Sequence, residues 1–187
     1  MDILAHALWA GVGAQLLRRH QRLSVGGGAA LVALAVMPDI PQLLPIVGWA
    51  MSGHGSIELL YDYAFAEPGT EPWLPPIVQT ITHHLHCAPH SAIVAACVTA
   101  LTAFLRRAWL LPLLGWWSHI VIDVFTHSKD YYAVPVLYPI TDVGFDGIAW
   151  IEPRFLILNY LALAAVYAGM FFWRQRGPRP VASARFK

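Results

Sequence analysis

The sequence predicts an all-α fold, a polytopic membrane helix bundle of about five spans with its N-terminus outside and its C-terminus cytoplasmic. Three observations predict it. Of 187 residues, 57% are hydrophobic and only 12% charged, where ordinary globular domains carry about 25% charge. A soluble all-α domain of this composition would lack the charge to cover its surface. Mean hydropathy is +0.53, and the apolar residues are gathered into runs approaching the length a bilayer requires. The charges are segregated as well. Basic residues fall in three clusters: Arg18-Arg19-His20-Gln21-Arg22, Arg106-Arg107, and Arg174 to Lys187. The acids Glu58, Asp62, Glu67 and Glu71 share one interval, and Asp130, Asp142, Asp146 and Glu152 another.

In chain order, Ile3–Leu17 is apolar apart from His6 and Gln15, and short against the roughly 20 residues a span needs. It lacks a basic leading region, so no cleavable signal peptide is expected. Ser24–Met37 is a second apolar run, stopped by Pro38-Asp39-Ile40-Pro41, where two prolines break or kink a helix. Gln42–Met51 reads as a bent continuation or an interfacial piece. The loop at about 52–79, rich in Gly, Pro and acids, reads as extramembrane, with one short helix near Ser56–Phe65. Ser91–Leu105 and Ala108–Phe125 are further apolar runs, followed by a polar, aromatic loop at about 126–153. Phe155–Trp173 is the cleanest span. One membrane-embedded domain, 1–173, thus precedes a basic cytoplasmic tail, 174–187. Gly26-Gly27-Gly28 is read as close helix packing. Cys87 and Cys97 suggest no disulfide framework.

Basic clusters belong on the cytoplasmic side. Two crossings between the first and second cluster, and two between the second and third, put both acidic loops outside. A crossing by Ile3–Leu17 makes the fifth span. At about 1.5 Å per helical residue, Asp39 lies about 25 Å from Arg22, His90 about 24 Å from Arg106, and Asp123 about 24 Å from Arg107. His6 and His119 lie about 18 Å from Arg18 and Arg107. Potential ligands from several helices therefore share one layer near the outer interface.

Ionisable groups within a membrane face the bundle interior and find partners. Read singly, these have plainer meanings: His119 and Asp123 as a hydrogen-bonded pair, Asp39 as a cap, His6 as a helix-pair contact, His83 and His84 as interfacial. Their common depth favours a divalent cation instead. Histidine and carboxylate ligands suit zinc, with manganese and iron also compatible. His86 and His90, four apart, would share a helical face, as would His119 and Asp123. His20 and His54 are left outside the site. Mixed nitrogen and oxygen donors are typical of hydrolytic centres.

His6 near the N-terminus, Leu34-Ala35-Val36-Met37-Pro38-Asp39-Ile40, Pro89-His90-Ser91, and Ser118-His119-Ile120-Val121-Ile122-Asp123-Val124-Phe125-Thr126 with Pro135-Val136-Leu137-Tyr138-Pro139 together resemble the bacterial inner-membrane-bound, metal-dependent hydrolase family. That family is distantly similar to zinc-dependent phospholipase C enzymes. Two departures stand out: Pro41 replaces a second acid, and Leu85 and Pro89 replace a histidine and a threonine of the family's pattern. His86 then takes the missing histidine's role, with His84 as the fallback.

The resemblance implies an enzyme of the inner membrane whose metal ligands are His6, Asp39, His86, His90, His119 and Asp123. Asp39 or Asp123 would bridge metals or act as general base, and His127, one turn past Asp123, would support the ligands from behind or contact substrate as a third catalytic candidate. The expected substrate is an ester, a lipid phosphoester above all, at the extracytoplasmic face. Expected partners are the bilayer, a lipid substrate and other membrane subunits, with no nucleic acid. The rival readings are an accessory subunit with a vestigial site and a metal transporter; the latter needs ligands along the whole path across the membrane.

Overall fold

The computed structural model describes residues 1–176; the tail from 177 to 187 lies outside the described residues. Among the described residues eight α-helices follow one another: α1 (Ile3–Arg19), α2 (Val25–Val36), α3 (Leu43–Trp49), α4 (Ile57–Ala64), α5 (Pro76–Cys87), α6 (Ala92–Leu105), α7 (Leu110–Thr126) and α8 (Pro153–Arg176). No strand occurs among the described residues.

Local chemistry sets most helix ends. The Asp2 carboxylate accepts from the Ala5 amide at 2.9 Å and the Ser24 hydroxyl from the Gly27 amide at 3.0 Å, so α1 and α2 begin with side-chain caps. Ser91 accepts from the amides of Ile93 and Val94 and caps α6. Proline at the first position starts α5, where no amide hydrogen is needed. The Pro76–Gln79 end of the expected extramembrane loop is therefore helical.

Two breaks shape the bundle. Past α2 the chain makes one 3₁₀ turn, Met37–Asp39, and the α2 and α3 segments meet at 62°. The bend expected after Pro38 is present, and α3 packs against α5. The second break lies between α5 and α6, which meet at 59°. It corrects the expected helical face shared by His86 and His90. Pro89 ends the helix, so His86 closes α5 while His90 sits in the turn.

Two segments, Arg107–Thr126 and Pro153–Gln175, are long and apolar enough to cross a membrane, or up to four if each bent pair is one span. α1 has 17 residues. Only 6% of the α8 window is buried, and Ile157, Leu158 and Leu161 face outward. Such a surface is costly in water and ordinary in lipid. This is a membrane protein.

At the centre, α2 packs against both α1 and α7. Gly115 on α7 permits the closest approach: a Cβ there would fall 1.9 Å from the Leu31 carbonyl oxygen. Gly28 meets α1, where its Cβ would lie 3.1 Å from Arg18 Cδ, while Gly26 has nothing within 4 Å. Polar side chains dock α8 on α1: Trp9 Nε1 donates to Asn159 at 2.9 Å, Tyr160 to Asp2 at 2.8 Å, and Tyr167 to the Leu8 carbonyl at 2.9 Å. Such bonds help to glue helices where hydrophobic burial gives no drive.

Candidate metal centre

The site is assembled where helices end or break. α7 contributes His119 and Asp123 from its final turns, and the 3₁₀ turn after α2 contributes Asp39. The break between α5 and α6 contributes His90, and the first turns of α1 contribute His6. His6, His90, His119 and Asp123 are each at most 1% exposed.

Four of these residues converge. Asp39, His90, His119 and Asp123 each offer a ligand atom, all within 4.8 Å of one another. His90 Nε2 lies 3.0 Å from His119 Nε2, 3.4 Å from Asp39 Oδ1 and 3.6 Å from Asp123 Oδ2. His119 Nε2 lies 3.7 Å from Asp39 Oδ1 and 3.0 Å from Asp123 Oδ2. Ligand atoms around a tetrahedral zinc sit about 3.3–3.6 Å apart, given bond lengths near 2.0–2.2 Å. The observed spacings bracket that range.

The tautomers sharpen the case. His119 Nδ1 is 2.7 Å from the Ala35 carbonyl and His90 Nδ1 is 2.7 Å from the His86 carbonyl. A carbonyl oxygen only accepts, so both Nδ1 atoms carry hydrogen, and in the neutral rings both Nε2 atoms present lone pairs. With both rings neutral, the two Nε2 atoms, 3.0 Å apart, would oppose their lone pairs. Either a proton on one ring or a divalent cation relieves this, and the cation would also engage both carboxylates. Hydrogen bonds from the far nitrogen to carbonyls are also how metal-binding histidines are fixed. The buried group can hold a metal ion.

Around the four lie the other expected residues. His6 Nε2 is 2.8 Å from Asp123 Oδ1, and its ring stacks on His119 with centroids 3.8 Å apart. Oδ1 also meets the Met1 amino group and Thr126, while Oδ2, the oxygen facing His90 and His119, has no hydrogen-bond partner among the described residues. His6 thus orients Asp123 from behind. His86 tilts against His90 at 4.4 Å, and its Nδ1 is likewise without a partner. His84 turns away, its Nδ1 2.8 Å from the Tyr138 hydroxyl, on an exposed face. His127 Nδ1 donates to the Tyr132 carbonyl at 3.0 Å, while its Nε2 lies 3.1 Å from the Met1 amino group and 3.8 Å from Asp123 Oδ2.

No family model matches this chain, and neither a curated protein nor a solved structure does. The functional reading rests on donor geometry.

That geometry has a scaffold that residue spacing did not disclose. Trp116 Nε1 donates to the Pro89 carbonyl at 2.6 Å, and Ser91 donates to the Tyr138 carbonyl. The Ala92 amide donates to Val136 at 2.9 Å. Together they hold the His90 turn against α7 and the loop that follows it. The same loop closes the end of α7: amides of Gly147, Ile148 and Trp150 donate to the carbonyls of His127, Phe125 and Thr126 at 2.8, 3.0 and 2.8 Å. These satisfy groups that a helix end leaves open.

Proposed function

We propose that the protein is a metal-dependent hydrolase that cleaves an ester of a lipid, a phosphoester first, at the extracytoplasmic face of the bacterial inner membrane. The observation that carries the reading is the convergence of two histidine Nε2 atoms and two carboxylates, with His90, His119 and Asp123 buried. A transporter needs such groups along its path; here they are concentrated at one end of the bundle. In the proposed topology five helical units cross, with the N-terminus outside and the C-terminus cytoplasmic.

Asp39, His90, His119 and Asp123 would hold the ion, with zinc favoured by the donor set and manganese or iron compatible. When bound, a divalent cation would polarise the scissile ester and acidify water. His6 positions Asp123. His127, whose Nε2 lies 3.1 Å from the Met1 amino group, would exchange the proton between water and the leaving oxygen once that contact is given up.

An apolar cavity of about 650 Å³ supports a lipid substrate. Met1 and Thr126, both touching Asp123, form one part of its wall, and Trp9, Leu17, Leu114 and Ile122 line the rest. An acyl chain held there would bring its headgroup end beside Asp123, on the Oδ1 side that Met1 and Thr126 touch.

The test combines metal analysis with turnover. Full-length protein in detergent is expected to carry metal that Asp39→Ala and His119→Ala both lose, and to release water-soluble phosphorylated headgroup from mixed phospholipid vesicles. Metal unchanged in both variants overturns the site. Metal bound at this site without turnover overturns the hydrolase and favours an accessory subunit.

A further inference from the structure

A second set of donors lies outside the buried group. His83 and Cys87 stand four apart near the end of α5, with both His83 ring nitrogens 3.6–3.7 Å from Cys87 Sγ. Asp142, from the loop after α7, reaches the same place: its Oδ1 is 4.0 Å from His83 Nε2. One donor atom from each of the three lies within 4.8 Å of the others. Cys87 is 1% exposed, whereas the side chains of His83 and Asp142 are 54% and 71% exposed. The sulfur forms a floor, the imidazole and carboxylate form a rim, and the outer side is open to water.

We propose that His83, Cys87 and Asp142 form a second metal site, separate from the buried centre, for a thiophilic divalent cation of the zinc class. The chemistry of the donors selects the ion. Sulfur, nitrogen and one oxygen suit zinc or cobalt, while magnesium and calcium demand oxygen ligands. Three protein ligands leave a fourth position for water, the pattern of an open zinc site. Binding converts the Cys87 thiol to thiolate and releases its proton to solvent. The site also links two elements far apart in sequence, so the ion would pin the outer loop to α5. That loop carries Val136 and Tyr138, whose carbonyls hold the His90 turn.

Cobalt titration of the full-length protein in detergent tests this, in a Cys97→Ser background so that Cys87 is the sole thiol. The expected result is a near-ultraviolet thiolate-to-cobalt charge-transfer band that Cys87→Ser abolishes. His83→Ala and Asp142→Ala should each weaken cobalt affinity about tenfold or more, while His119→Ala leaves the band intact. His83 and Asp142 are exposed, so their variants carry the test even if Cys87→Ser fails to fold. Absence of the band overturns the proposal. So does a band of unchanged affinity in both His83→Ala and Asp142→Ala, which would mean binding by the thiol alone. Loss of the band in folded His119→Ala protein would make it a property of the buried centre and overturn the second site.

Discussion

His90 and His86 differ in the way that matters to a metal. His90 has its far nitrogen tied to a carbonyl and its near nitrogen among three other donors. His86 supplies that carbonyl and lies outside the converging group. His90→Ala should therefore abolish binding at the centre, whereas His86→Ala should retain one ion there with affinity lowered by about tenfold; equilibrium dialysis in a Cys87→Ser background distinguishes them. Equal loss in both would place His86 among the ligands. Trp116 acts at one remove. Trp116→Phe leaves the Pro89 carbonyl without its donor, an expected cost of about 1–3 kcal/mol in a buried setting, with weakened metal retention and an intact helical circular-dichroism spectrum. The sequence disclosed Asp39, His90, His119 and Asp123 because helical rise converts residue number into depth. His84 and His86 could not be ranked that way: Pro89 ends the helix between His86 and His90, and spacing rules stop at a break. Asp142 was hidden for a related reason, since a loop has no fixed rise.

At the scale of elements, α2 and α7 decide whether the centre exists. The His119–Ala35 bond spans these two helices, and the backbone contact at Gly115 sets their separation. Gly115→Ala would push a methyl group into the Leu31 carbonyl. The expected outcome is a loss of about 1–3 kcal/mol from overpacking, together with reduced metal content, read by thermal unfolding in detergent and metal analysis. Full stability and full metal would show that α2 and α7 can separate without harm. The sequence pointed to Gly26-Gly27-Gly28 for close packing, and Gly28 does meet α1. The tighter contact lies at a lone glycine, which carries no pattern to betray it.

The loops before α5 and after α7 make a second pairing between elements. Tyr132 donates to Glu71 at 2.6 Å, and the Gly69 amide donates to the same carboxylate at 2.8 Å. Partial burial pushes Glu71 upward, but the bonds from Tyr132 and backbone amides outweigh it and hold it below the ordinary carboxylate value of 4.5. A depressed folded value means that this stabilisation is present above the unfolded value and lost as pH falls through the folded one. Protease nicking of the 66–71 loop should therefore rise as pH falls below 4.5, and Tyr132→Phe should weaken that pH dependence, the Gly69 amide bond remaining. Nicking independent of pH in the wild type would deny the carboxylate this role.

For the whole molecule, polarity is the organising fact. α1 and α7 run between the centre and an arginine cluster in opposite chain directions, and so do α2 and α6, so each of these four helices has one ligand end and one basic end, while α8 brings only a basic end. The structure also joins clusters that the sequence separates. The Arg19 guanidinium sits 3.3 Å over the Trp173 ring, and Arg18, Arg22 and Arg174 line one cavity. This supports a single basic face, which the positive-inside rule assigns to the cytoplasm. Length alone could not decide the number of crossings. α1, at 17 residues, measures about 25 Å against a hydrocarbon core of about 30 Å, and the bent pairs change direction part-way. Side-specific reporters decide it. Green fluorescent protein fused after Lys187 should fluoresce, as it does only when folded in the cytoplasm, and alkaline phosphatase inserted at Gly69, an exposed turn, should be active outside. The reverse pair of signals would turn the bundle over and place the buried centre at the cytoplasmic face, where an extracytoplasmic lipid ester could not reach it.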